Sequence, residues 1–128
     1  MFSGEGPPER DSVEGSIFDL ATDMYADGNG KAAGTVGFRG MMNLYGILTE
    51  VGGDNVTSQA LIDQVRQAKD HPSFWGHDYT CDGNQVPGLP SLCAPQQTLF
   101  QIPEDLDGIQ FITDWIDTVS LFHDALDE

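Results

Sequence analysis

The sequence predicts an α/β chain: about three helices, then an irregular loop holding both cysteines, then a terminal β-hairpin. Three observations predict it. Apolar residues recur at helical spacing in three stretches before residue 70. Residues 70–95 carry Gly, Pro and polar residues with no period. After them, QTLFQI (97–102) and IQFIT (109–113) flank a turn containing Asp107-Gly108. With 128 residues the chain has material for one modest domain.

Each element has its own signal. Residues 1–15 are Gly, Pro and charge, and read as a flexible leader. Ser16 is the expected N-cap of the first helix, with Asp19 three residues on. Ile17, Leu20, Ala21 and Met24 form its expected buried face, and DGNG at 27–30 stops it. The second helix is expected from Gly34 to Val51. Its apolar residues, Phe38 to Val51, cover most of the circumference, so burial on several sides is expected.

Gly34, Gly37 and Gly40 recur every third residue near its start. They lack the spacing of a dinucleotide fingerprint, and no strand precedes them. Close packing of the helix against backbone is their expected use. The competing use is a helix N-terminus open to a ligand, with Thr35 the residue singled out for contact. Gly52-Gly53 is expected to end the helix in a left-handed cap.

The third helix is expected from Thr57 to Lys69, with Thr57 as N-cap and Val56 and Leu61 as a hydrophobic staple. Leu61, Ile62, Val65 and Ala68 form its expected buried face. Arg66 and Lys69 complement the dipole of its last turns. The segment 114–128 is ambiguous between a helix and a loose tail.

The charge excludes two function classes. Net charge is −16, and the last 59 residues hold eleven acids and no Lys or Arg. Such a surface repels nucleic acid and anionic membranes. An acidic-effector role is conceivable, but a well-solvated surface explains the same composition. No signal peptide is read at the N-terminus, and no run is long enough to span a membrane.

The two cysteines, Cys81 and Cys93, raise three readings. Zinc could in principle draw on His71, His77, Cys81 and Cys93, but the tight C-x2-C pair is absent. A redox or nucleophilic thiol matches no local motif. The third reading is a Cys81–Cys93 disulfide that staples a loop unable to form a ladder of its own. This reading is preferred, and it places the protein in an oxidising compartment. No catalytic constellation, cofactor or metal site is expected. Asp114 and Asp117, and Glu104, Asp105 and Asp107, read as solvated carboxylates. Phe74, Trp75 and Trp115 read as packing groups, and His123 has no nameable partner.

The order of "GTVGFRGMMNLYGILTEVGGDNVT", "SQALIDQVRQAK", "TCDGNQVPGLPSLCAPQQTLFQI" and "TDWID" resembles the C-terminal part of ABC-importer solute-binding proteins. These have the type I periplasmic binding fold, and the likeness is to the branched-chain amino-acid class, especially actinobacterial members with a cysteine loop. It covers residues 16–117.

The resemblance implies a partial type I periplasmic-binding-protein fold, with residues 16–128 as an incomplete C-terminal segment of a solute-binding domain. It implies a small polar solute and a membrane permease as partners of a longer parent, without nucleic acid or membrane insertion. The implied location is outside the cytoplasm. Ala33, Gly34 and Thr35 match the family's cleft-facing stretch, where some members place an aromatic ring. The competing function is a standalone acidic protein-interaction module without catalytic activity.

Overall fold

Helix α1 (Val13–Tyr25) starts one turn before the expected cap. Ser12, not Ser16, is the N-cap: its hydroxyl accepts the N–H of Gly15 at 3.0 Å. Ser16 instead lies inside the helix, its hydroxyl donating to the carbonyl of Ser12. The computed structural model describes residues 2–4, 12–28, 32–101, 104 and 110–121. Within the stretch read as a leader, Phe2–Gly4 forms strand β1 and Val13 to Gly15 form the first turn of α1. The stop at Asp27-Gly28 holds: both have positive φ, and the N–H of Gly28 reaches back to the carbonyl of Thr22.

The remaining elements are α2 (Ala32–Val51), a 3-10 turn (Gly53–Asn55), α3 (Ser58–Gln67), β2 (Gln96–Gln101), β3 (Gln110–Phe111) and β4 (Ile116–Asp117). α2 ends at Gly52, whose positive φ of 81° goes with ψ 132°, a conformation open to glycine but not the left-handed helical cap expected from the sequence. Thr57 caps α3, its hydroxyl accepting the N–H of Ala60 at 3.1 Å. The α/β class holds in its coarse form, as helices beside a small antiparallel sheet.

The chain divides into two units. Unit 2 comprises Pro8–Gln64 and Ser73–Trp75. Its centre is an aromatic cluster. Phe18, 3 % exposed, meets Phe38 edge-on and Trp75 at a tilt, each at 5.3 Å between centroids. Phe38 in turn meets Phe74 at 5.9 Å.

The expected faces are corrected here. Leu20 and Met24 of α1 are 61 % and 63 % exposed, and Ile17 is exposed as well, while Phe18 is the buried residue. The partners Trp75 and Phe38 select the Phe18 side. On α3, Leu61 and Val65 are half-buried but Ile62 is exposed. Among its described side chains, α2 has none that is fully buried. A Cβ at Gly34, Gly37 or Gly40 would meet nothing within 4 Å. The glycine stripe therefore faces open space and does not pack on backbone as expected.

Unit 1 comprises Met1–Pro7, Val65–Pro72 and Gly76–Glu128. Its sheet runs β1-β2-β3 in antiparallel order, and β4 also pairs with β2. The expected return strand 109–113 is interrupted. Phe100 pairs with Phe111, and pairing resumes at Gln97 with Ile116. Residues 112–115 thus stand opposite only Thr98 and Leu99, which is a bulge. Thr113 fills the gap: its carbonyl accepts the hydroxyl of the buried Thr98, and its hydroxyl accepts the N–H of Leu99. Ile116 belongs to a strand and Val119 starts a short helical turn, so the ambiguous segment is neither one helix nor a loose tail as far as Leu121. The expected turn at Pro103–Gly108, Glu104 apart, and the residues after Leu121, His123 included, lie outside the described residues.

Candidate functional site

Of the residues proposed for ligand contact, Ala33, Gly34 and Thr35 lie in the first turn of α2. Backbone N–H groups in a helix's first turn have no preceding turn to bond. Gly34 is exposed with open space at its Cβ position, and Thr35 is half-buried. This turn offers small residues, a backbone dipole end and one hydroxyl, and it carries no charged side chain.

On the next turns of α2 lies a device that sequence reasoning missed. The Asn43 side chain holds the segment Ser73–Trp75. Its Oδ1 accepts the N–H of Phe74 at 2.7 Å, and its Nδ2 donates to the carbonyl of Phe74 at 3.4 Å and to that of Arg39 at 3.0 Å. One side-chain amide thereby stands in for a neighbouring strand. Trp75 follows at φ 62°, a left-handed conformation that a bulky residue rarely adopts. The amide clamp and the ring contacts with Phe18 and Phe74 hold it there. The signal available beforehand was a lone amide inside the apolar run MMNLYG, since a polar group among apolar ones needs a partner.

In unit 1, Cys81 and Cys93 are joined by a disulfide. Both sulfurs being bonded to each other, they are not available as zinc ligands. No group of three or more His, Cys, Asp or Glu among the described residues could hold a metal ion. The staple sits in a local network. Cys81 N–H donates to the carbonyl of Ala68, and Thr80 N–H donates to the carbonyl of Cys93. His71 and Tyr79 exchange both backbone bonds at 2.9 Å and place their rings 4.9 Å apart. Inside the loop, Val86 is wholly buried.

Asp82 opens the loop as a turn residue. The backbone N–H of Asn84 foremost, then the amide of Gln85, hold its carboxyl below the usual carboxylate range. Asp117 is likewise a turn acceptor, taking the N–H of Val119.

The bulge presents Trp115, 40 % exposed, edge-on to His77 at 5.3 Å. His77 Nδ1 lies 2.6 Å from the carbonyl of Asp78. A carbonyl only accepts, so in this contact Nδ1 donates.

The chain matches no protein-family model, no curated protein and no solved structure. Among the described residues, no helix is long and apolar enough to cross a membrane.

Proposed function

We propose that this chain is the C-terminal segment of an extracytoplasmic solute-binding component of an ABC importer, with a partial type I periplasmic binding fold. Its parent takes an amino acid or a similar small polar solute and delivers it to a membrane permease. The observation that carries the reading is the uncovered apolar surface of α1 and α2. Val13, Ile17, Leu20 and Met24 line one side of α1. Gly34, Gly37, Gly40, Met41, Leu44 and Tyr45 line one side of α2 and are all exposed. Patches of this kind mark a surface that another body covers. In a two-lobed binding protein, that body is the rest of the lobe.

The disulfide supports a location outside the cytoplasm. In this reading the first turn of α2, with Ala33, Gly34 and Thr35, lies toward the solute. It lacks a charged anchor, so the chain alone holds the solute weakly. The same uncovered faces also suit the standalone acidic interaction module, which needs an exposed apolar side for its partner.

Two measurements test the reading. Calorimetric titration of the chain with amino acids and small amides should give no saturable heat, and an environment-sensitive dye should bind it strongly. A dye-silent, monodisperse chain that binds an amino acid at micromolar concentration would overturn the reading.

A further inference from the structure

Among the described residues of unit 1, few apolar groups are buried, and several of them lie in or beside the disulfide loop. They include Ala68, Cys81 and Val86. Ala68 accepts the N–H of Cys81, and Val86 lies inside the loop that Cys81 and Cys93 close. From residue 82 to 92, the hydrogen bonds among the described residues reach three positions at most: Asn84 and Gln85 to Asp82, Leu89 to Val86, and Leu92 to Leu89.

The far end of the loop leads straight into the sheet. Pro95, two residues after Cys93, is buried and accepts the hydroxyl of Thr118, and β2 begins at Gln96. The near end carries Thr80, whose hydroxyl accepts the N–H of Asp70 and whose N–H meets Cys93. The disulfide therefore joins the 68–80 segment to the entry of β2. Unit 2 has no cysteine, and it stands on the Phe18 cluster and the Asn43 clamp.

We propose that unit 1 is redox-gated: its fold persists only while Cys81 and Cys93 are joined, and reduction releases it while unit 2 stays folded. A dithiol performs the step. Its thiolate attacks Cys93 sulfur, the more exposed of the two, and the S–S bond breaks. Cys81 leaves as a thiolate and takes up a proton. The second thiol of the reagent displaces Cys93, which also ends as a thiol. The dithiol becomes a disulfide, and two electrons have passed to the cysteines. A chain built this way leaves unit 1 unfolded in a reducing compartment and completes it in an oxidising one.

Hydrogen exchange on the full chain, with and without dithiothreitol, tests the proposal, with mass spectrometry to verify two free thiols. Peptides covering β2 and Ile112 should exchange at least about tenfold faster after reduction, while peptides covering α2 keep their rate. Removing the reagent under air should restore the β2 protection. Unchanged protection of β2 in verified two-thiol protein would overturn the proposal, and so would equal loss of protection in α2.

Discussion

Replacing Phe18 by Ala removes the ring that unites the aromatic cluster. Phe18 is 3 % exposed and contacts Phe38 and Trp75, both at 5.3 Å. Truncating a buried Phe costs about 3–5 kcal/mol through lost transfer energy and the cavity left behind. The two ring contacts belong within that figure, at about 0.5–1.5 kcal/mol each. A folded domain holds roughly 5–15 kcal/mol in all, so the loss is a large share of it. The control is Leu20→Ala two positions on, where the side chain is 61 % exposed. Such a surface change stays within about 0.5 kcal/mol.

The assay is urea unfolding followed by Trp75 emission in a Trp115→Phe background, which leaves Trp75 as the sole indole. The Phe18 variant should unfold at much lower urea, with Leu20→Ala close to the parent. Equal costs at the two positions would refute the assignment of the buried face of α1.

Three further outcomes are expected. Asn43→Leu leaves the N–H and carbonyl of Phe74 without the amide and should cost about 1–3 kcal/mol, with Trp75 emission shifting to the red. Exchanging Cys81 and Cys93 together for Ser removes the loop-closure constraint, so the amides of β2 should lose their exchange protection without any reductant while those of α2 keep it. Asp82 has a folded-state pKa below its unfolded value, so its contribution is present above the ordinary Asp range and is lost as pH falls through the lower folded value. Asp82→Asn should flatten that part of the acid limb in a stability–pH profile, and an unchanged profile would count against the Asn84 and Gln85 contacts.

Local chemistry was legible where one residue decides it. Thr57 caps α3, α2 stops at the positive-φ Gly52, and the two cysteines pair. The strand at 97–102 appears as β2, shifted by a residue at its start. What escaped depended on distant partners. Two serines one turn apart both suit an N-cap, and only the backbone path chooses Ser12. The stripe Ile17, Leu20, Met24 has better helical spacing than Phe18 alone, yet Trp75 and Phe38 make Phe18 the buried group.

The glycines of α2 carry no signal that separates a packed face from an open one. At the sheet, IQFIT reads as one strand because the period does not reveal that Thr113 substitutes for a ladder position. From the sequence, the proposed ligand contact amounts to no more than the first turn of α2. The Asn43 clamp behind it needed the position of Phe74, which is far along the chain.

The most direct test is a segment exchange. Residues 2–121 replace the corresponding C-terminal segment of a branched-chain amino-acid-class solute-binding protein, and the chimera is titrated with that protein's own solute by calorimetry. The account predicts a folded monomer that binds the solute with one-to-one stoichiometry, because the uncovered faces of α1 and α2 find the lobe they pack on. A chimera that unfolds or aggregates, while the same exchange with a segment from a second member of the class folds and binds, would contradict it.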